Sequence, residues 1–152
     1  MSTITSTGYA RDARYPATAY ASRDIAALIA RALLATIFIW SGFGKLTGFE
    51  GLASGIAAKG LPMPTVFAAL AVAMELGGGI LLLIGLRARW IGLLFVIFLA
   101  VITPMYHDFW NAAADAVIGQ QINFMKNVAI AGGMLMVFAF GPGRYSLDRE
   151  RA

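Results

Sequence analysis

The sequence predicts an all-α protein, an integral membrane four-helix bundle with both termini cytoplasmic. Three observations predict it. Hydrophobic residues make up 59% of the 152 positions and charged residues 13%, whereas a soluble domain carries roughly 25% charge. The charges are also segregated. Four apolar segments, 25–44, 65–86, 90–106 and 124–141, approach the roughly 20 residues needed to cross about 30 Å of hydrocarbon, and they contain only Arg31, Glu75 and Lys126. Finally, Lys and Arg are divided unequally between the two sides that these segments define. A soluble bundle of buried helices would need polar faces of helical period, and these are missing.

The same numbers exclude other classes. Disorder requires low hydrophobicity and high charge. A nucleic-acid partner is not expected, because the net charge of +4 comes from residues at the ends of apolar segments, which is a membrane pattern. With no cysteine and a single histidine, the chain lacks thiol redox chemistry, Cys-ligated iron–sulfur clusters or zinc, and bis-His haem ligation. No metal site is expected.

Along the chain, residues 1–24 are rich in Ser, Thr, Ala and Tyr and read as a disordered cytoplasmic tail. The apolar run that follows is too long for a cleavable signal, so 25–44 reads as an uncleaved first span. The loop after it places Phe49, Leu52 and Ile56 at helical spacing, which predicts a short interfacial helix ended by Gly60, Pro62 and Pro64. The second span, 65–86, turns tightly through Arg87-Ala88-Arg89 into the third, 90–106. A second outer loop, 107–123, carries Phe109, Trp110 and an alanine-rich stretch suited to the interface. The fourth span ends at Gly141-Pro142-Gly143, and 144–152 forms a cytoplasmic C-terminal tail. The spanning domain is therefore 25–143. Arg11, Arg14, Arg23, Arg87, Arg89, Arg144, Arg149 and Arg151 fall on one side; Lys45, Lys59 and Lys126 fall on the other. The first set marks the cytoplasm.

Within this frame the polar residues resemble the DoxX family of small four-helix bacterial inner-membrane proteins. The resemblance rests on Arg31, then Phe38-Ile39-Trp40-Ser41-Gly42-Phe43-Gly44-Lys45-Leu46, Lys59-Gly60-Leu61-Pro62, Glu75-Leu76-Gly77-Gly78 and Leu83-Ile84-Gly85. It continues through His107, Lys126-Asn127, Gly132-Gly133 and Gly141-Pro142-Gly143-Arg144-Tyr145-Ser146-Leu147-Asp148, and so covers about residues 25–148. It implies a multi-pass protein of the bacterial inner membrane. Members are commonly labelled candidate oxidoreductases, with some relatives in quinone-linked pathways.

Glu75 is the sharpest single feature. It lies about 11 residues, or about 16 Å, into its span. A carboxylate at that depth should face protein or a water-filled cavity. Ala68, Ala71, Gly78 and Gly79 share its face and let another helix approach. It reads either as a proton-exchanging group beside a ligand or as half of a buried ion pair that fixes helix register. Arg31, roughly 9 Å deep, is the expected partner, or it snorkels to the headgroups. Lys45, His107, Lys126 and Asn127 stand at the outer ends of spans one, three and four. They read either as separate interfacial residues or as a rim for an anionic or quinone-like head group, with Trp40 and Trp110 packing on it. Gly77-Gly78-Gly79 and Gly132-Gly133 read as packing devices. Ser146 and Asp148 either cap the bundle or dock a partner.

The leading expectation is a redox protein, or a subunit of a redox complex, that handles a quinone or similar lipophilic carrier. Glu75 and His107 would exchange protons, while Arg31, Trp40, Lys45, Trp110, Lys126 and Asn127 would bind the ligand. The cofactor is unknown beyond a suspected quinone. Electrons would come from a partner protein, and a homo-oligomer is the other expected association. The alternative is a non-catalytic membrane scaffold, or a component that binds or moves a small solute or lipid.

Overall fold

The structure, a computed structural model, describes residues 17–148. It is helical throughout, with α1 (Ala17–Thr47), α2 (Phe49–Ala58), α3 (Pro64–Val72), a π-helical turn (Ala73–Gly77), α4 (Gly78–Ile84), α5 (Ala88–Tyr106), a short 3-10 turn (Phe109–Asn111) and α6 (Val117–Phe140). Helix α3, the π turn and α4 run on as one rod, Pro64–Ile84. With α1, α5 and α6 it gives four helices long and apolar enough to cross a membrane.

The rods run up and down. Each packs on its sequence neighbour, and α6 closes the ring against α1. Phe38 of α1 and Phe95 of α5 meet across the centre with ring centroids 3.9 Å apart. Around them lie Ala35, Leu82, Leu99 and Met134, all buried. Leu33, Trp40, Leu94, Ile97 and Met136 point outward, as expected where the solvent is lipid tails.

Geometry requires glycine at Gly42 and Gly85, among others. A Cβ at Gly42 would lie 2.5 Å from the backbone nitrogen of Leu76, so α1 touches the backbone of the π turn there. Gly85 ends α4 in the left-handed region, with φ +72, a conformation that side chains disfavour. Of the other glycines, Gly78, Gly79 and Gly133 pack closely on side chains of neighbouring rods, while Gly77 and Gly132 meet nothing across the bundle.

The short helix α2 forms where Phe49, Leu52 and Ile56 predict it. It lies against α3 and buries Ile56. It stops at Gly60, with φ +74, and α3 starts on Pro64, where the missing N–H costs nothing.

Two boundaries differ from expectation. Residues 17–24, expected in the tail, are the first two turns of α1. This stretch has no Gly or Pro and is alanine-rich, so it propagates the helix. The remainder of the expected tail, residues 1–16, lies outside the described residues, as do residues 149–152. Helix α6 begins at Val117, within the expected outer loop. There, too, nothing between Val117 and the apolar run breaks a helix except the tolerated Gly119.

Candidate functional site

Glu75 sits in the π turn and is buried, its side chain 4% exposed. A π turn is rare inside a helix and frequently marks a functional position. Its partner is Lys45. The ammonium donates to Glu75 Oε2 at 2.7 Å and to Ser41 Oγ at 2.6 Å. Ser41 and Lys45 are one helical turn apart and share a face of α1. Lys45 is 29% exposed, so one member of the pair is sealed and the other lies partly at the surface of the bundle. The Gly42–Leu76 contact holds the two rods close at this level.

Arg31 does not pair with Glu75. It is 2% exposed, and its guanidinium donates to the backbone carbonyls of Pro142 and Tyr145. The segment after α6 folds back over this end of the bundle. Leu147 N–H donates to the Ile84 carbonyl and Asp148 N–H to that of Gly85. The Asp148 carboxylate accepts from Arg87 and Ala88 N–H at 2.7 and 2.8 Å, capping the first turn of α5. Asp24 accepts from Arg144 N–H. The C-terminal segment is thus a clasp that ties the middle of α1 to the adjoining ends of α4, α5 and α6; Asp148 caps α5, while the Ser146 hydroxyl donates to the Gly143 and Asp148 carbonyls within the clasp itself. The pairing expectation failed because span one was counted from residue 25. The clasp places Arg31 level with Gly85 and Pro142, at the end of the spans and too far from Glu75.

The remaining expected residues each have nearer partners. His107 Nδ1 lies 2.9 Å from Gln120 Oε1. Lys126 is exposed and donates to Asn123 one turn back on α6. Asn127 is buried and donates to Thr103 Oγ1 of α5 at 3.2 Å. Trp110 packs edge-on against Phe109 and Phe124. Trp40 is 80% exposed. It lines an apolar groove of about 240 Å³ with Thr36, Ile39, Phe43 and Leu76, and Leu76 is the residue after Glu75. Lys45 and Glu75 are thus brought into contact, and Asn127, His107 and Lys126 bind other neighbours.

Other cations serve helix ends. Lys59 donates to the Met105 carbonyl in the last turn of α5, and Arg89 to the carbonyls of Phe138 and Ala139 in the last turn of α6. Cations are favoured there by the helix dipole and by the orphan carbonyls. Lys45 also stands in the last turn of α1, but its ammonium is bound to the Glu75 and Ser41 side chains and to no helix-end carbonyl. Among the described residues no group of three or more His, Asp or Glu gathers as a metal site.

Comparison with known proteins agrees with this architecture. A family model described as DoxX matches residues 26–108. The chain belongs to the DoxX family. It is 41% identical over 130 residues to "Inner membrane protein YphA" of Escherichia coli (strain K12), covering 86% of this chain and 93% of that protein. It is 33% identical over 126 residues to "Inner membrane protein YqjF" of the same organism, covering 83% and 92%. "Putative oxidoreductase CatD" of Bacillus subtilis (strain 168) is 37% identical over 84 residues, 54% of this chain and 61% of that protein. No solved structure matches. With four apolar rods and relatives of the inner membrane, this DoxX protein is a multi-pass inner-membrane protein that lives in the lipid bilayer.

Proposed function

We propose that this DoxX protein is a redox protein, or a subunit of a redox complex, that handles a quinone or similar lipophilic carrier at the Lys45–Glu75 pair. The observation that carries the reading is the pair itself. A carboxylate sealed inside a membrane bundle is costly and is kept where it has work to do. It stands in a π turn in the middle of its rod, against a part-exposed ammonium from the last turn of α1. Lys45 would donate to a carbonyl oxygen of the ring. Glu75 would supply and accept its protons. The apolar groove at Trp40 and Leu76 offers the ring's hydrocarbon tail a place beside the π turn.

Reduction of a quinone to the quinol takes two electrons and two protons. The electrons come from a partner redox protein, since the chain has no cysteine for a thiol relay. The CatD name supports this reading from a relative. The clasp end faces the cytoplasm in this proposal, because the arginine-rich segments and Arg31 gather there while Lys45, Lys59 and Lys126 lie toward the other end.

The test is titration of the detergent-purified protein with a short-chain benzoquinone, followed by native mass spectrometry. Stoichiometric binding is expected for the wild type. Glu75→Gln is expected to bind at least tenfold more weakly while staying monodisperse, and His107→Asn to bind with a smaller loss. A wild type that binds no quinone overturns the proposal and leaves a scaffold or a solute- or lipid-handling role. Binding unaffected by Glu75→Gln removes the pair from it.

A further inference from the structure

The clasp supplies a ruler. It joins Arg31, Gly85, Ala88 and Pro142 at one level. With a helical rise of about 1.5 Å per residue, Phe38 and Phe95 both fall about 10 Å from that level, and their rings do stack. Ser41 and Glu75 fall at about 15 Å, Lys45 at about 21 Å, Thr103 and Asn127 at about 22 Å, and His107 at about 28 Å.

The buried polar side chains divide sharply on this scale. They are Arg31, Glu75, Thr103 and Asn127. Arg31 belongs to the clasp, and the other three lie at or beyond the level of Glu75. Between the clasp and Glu75 the described interior is wholly apolar, with Ala35, Leu82, Phe95 and Met134 at 0% exposure and Phe38 at 4%. Level with Glu75 stands Ser41, and outward of it come the part-exposed Lys45, the Thr103–Asn127 pair and the half-buried His107–Gln120 pair. The other cations toward that end are engaged elsewhere: Lys59 on the Met105 carbonyl and the Tyr106 ring, Lys126 on Asn123.

We propose that the Glu75 carboxylate is in aqueous contact, and so exchanges protons, with only one face of the membrane, the face opposite the clasp. Lys45 is the gatepost of that route, since its ammonium spans the step from the outer polar half of the bundle to the sealed carboxylate. The aromatic layer of Phe38 and Phe95 and the clasp beneath it close the other direction. A reaction at Glu75 would then take or release its protons on a single side. The proposal draws its purpose from the reading of Lys45–Glu75 as a working pair, but its test needs no quinone, so either can fail alone.

The chain contains no cysteine, so single cysteines report cleanly. Ser41→Cys places a thiol one turn from Lys45, where the ammonium favours the reactive thiolate. Leu147→Cys marks the clasp face, and Ala35→Cys marks the apolar layer. A membrane-impermeant maleimide is applied to sealed vesicles of both orientations. Expected is labelling of Ser41→Cys only in the orientation in which Leu147→Cys is unlabelled, with Ala35→Cys unlabelled in both. Labelling of Ser41→Cys from the Leu147 side, from both sides or from neither overturns the proposal. Thr103→Cys repeats the measurement on α5 and decides it if Ser41→Cys is not monodisperse.

Discussion

Arg31 and Glu75 are both buried charges of the same bundle, but they are satisfied in opposite ways. Arg31 is fixed by backbone carbonyls of a segment that closes over it, and Asp148 of that segment fixes two backbone N–H groups in return. The clasp ties the ends of α4, α5 and α6 to the middle of α1. Glu75 is held by one long, part-exposed side chain in a turn of irregular helix. The first arrangement is a fastening, because its partners are main chain and cannot leave without unfolding. The second can open, because Lys45 can swing away without moving a helix. Depth alone does not distinguish a structural charge from a working one in a membrane protein; the freedom of its partner does.

The largest effect is expected from breaking the mid-bundle pair so that its sealed member is left alone. Lys45→Met leaves Glu75 as an uncompensated buried charge, a loss on the order of 3–5 kcal/mol, to be seen as a lowered melting temperature in detergent at neutral pH. The double variant Lys45→Met/Glu75→Gln removes both charges and should recover most of that loss, since replacing a whole buried pair is often close to neutral. If the double variant melts as low as Lys45→Met, the pair is part of the scaffold and the contrast with the clasp collapses.

Arg31→Met tests the other region. It leaves the Pro142 and Tyr145 carbonyls without their donor, at about 1–3 kcal/mol for each orphaned buried group. The expected outcome is lower thermal stability and faster proteolysis of the C-terminal segment, with quinone binding per folded molecule unchanged. Loss of binding at undiminished stability would place Arg31 in the ligand site and contradict its role as a fastening.

The four rods and α2 were legible because their signals are local. Apolar length marks a span, and Phe49, Leu52 and Ile56 mark a face. Glu75 was legible as a charge that needs a reason, but its partner was not, because pairing depends on axial offset. Counting span one from residue 25 put Arg31 near Glu75 and Lys45 at the rim. Two more turns of helix before residue 25, and the clasp at Arg31, shift the whole scale by about two turns and bring Lys45 within reach. Ser41 carried a usable signal, since it stands four residues before Lys45. The π turn carried none that periodicity could reveal, and the Thr103–Asn127 contact joins residues from separate spans with no motif between them.

The smallest effect isolates the cap from the rest of the clasp. Asp148→Asn keeps the shape of the side chain but converts one acceptor oxygen into a donor that faces the N–H groups of Arg87 and Ala88. Loss of an N-terminal cap costs about 0.5–2 kcal/mol, and the carboxylate's favourable interaction with the α5 dipole is lost as well. Arg31 and the Leu147–Ile84 hydrogen bond remain, so the segment should stay docked. Hydrogen exchange should therefore speed up at the first turn of α5 and remain slow at Leu147. If the amides of Leu147 and Asp148 are released together with those of Arg87 and Ala88, the carboxylate is the fastening itself and Arg31 only follows it. The two halves of the clasp would then rank in the reverse order.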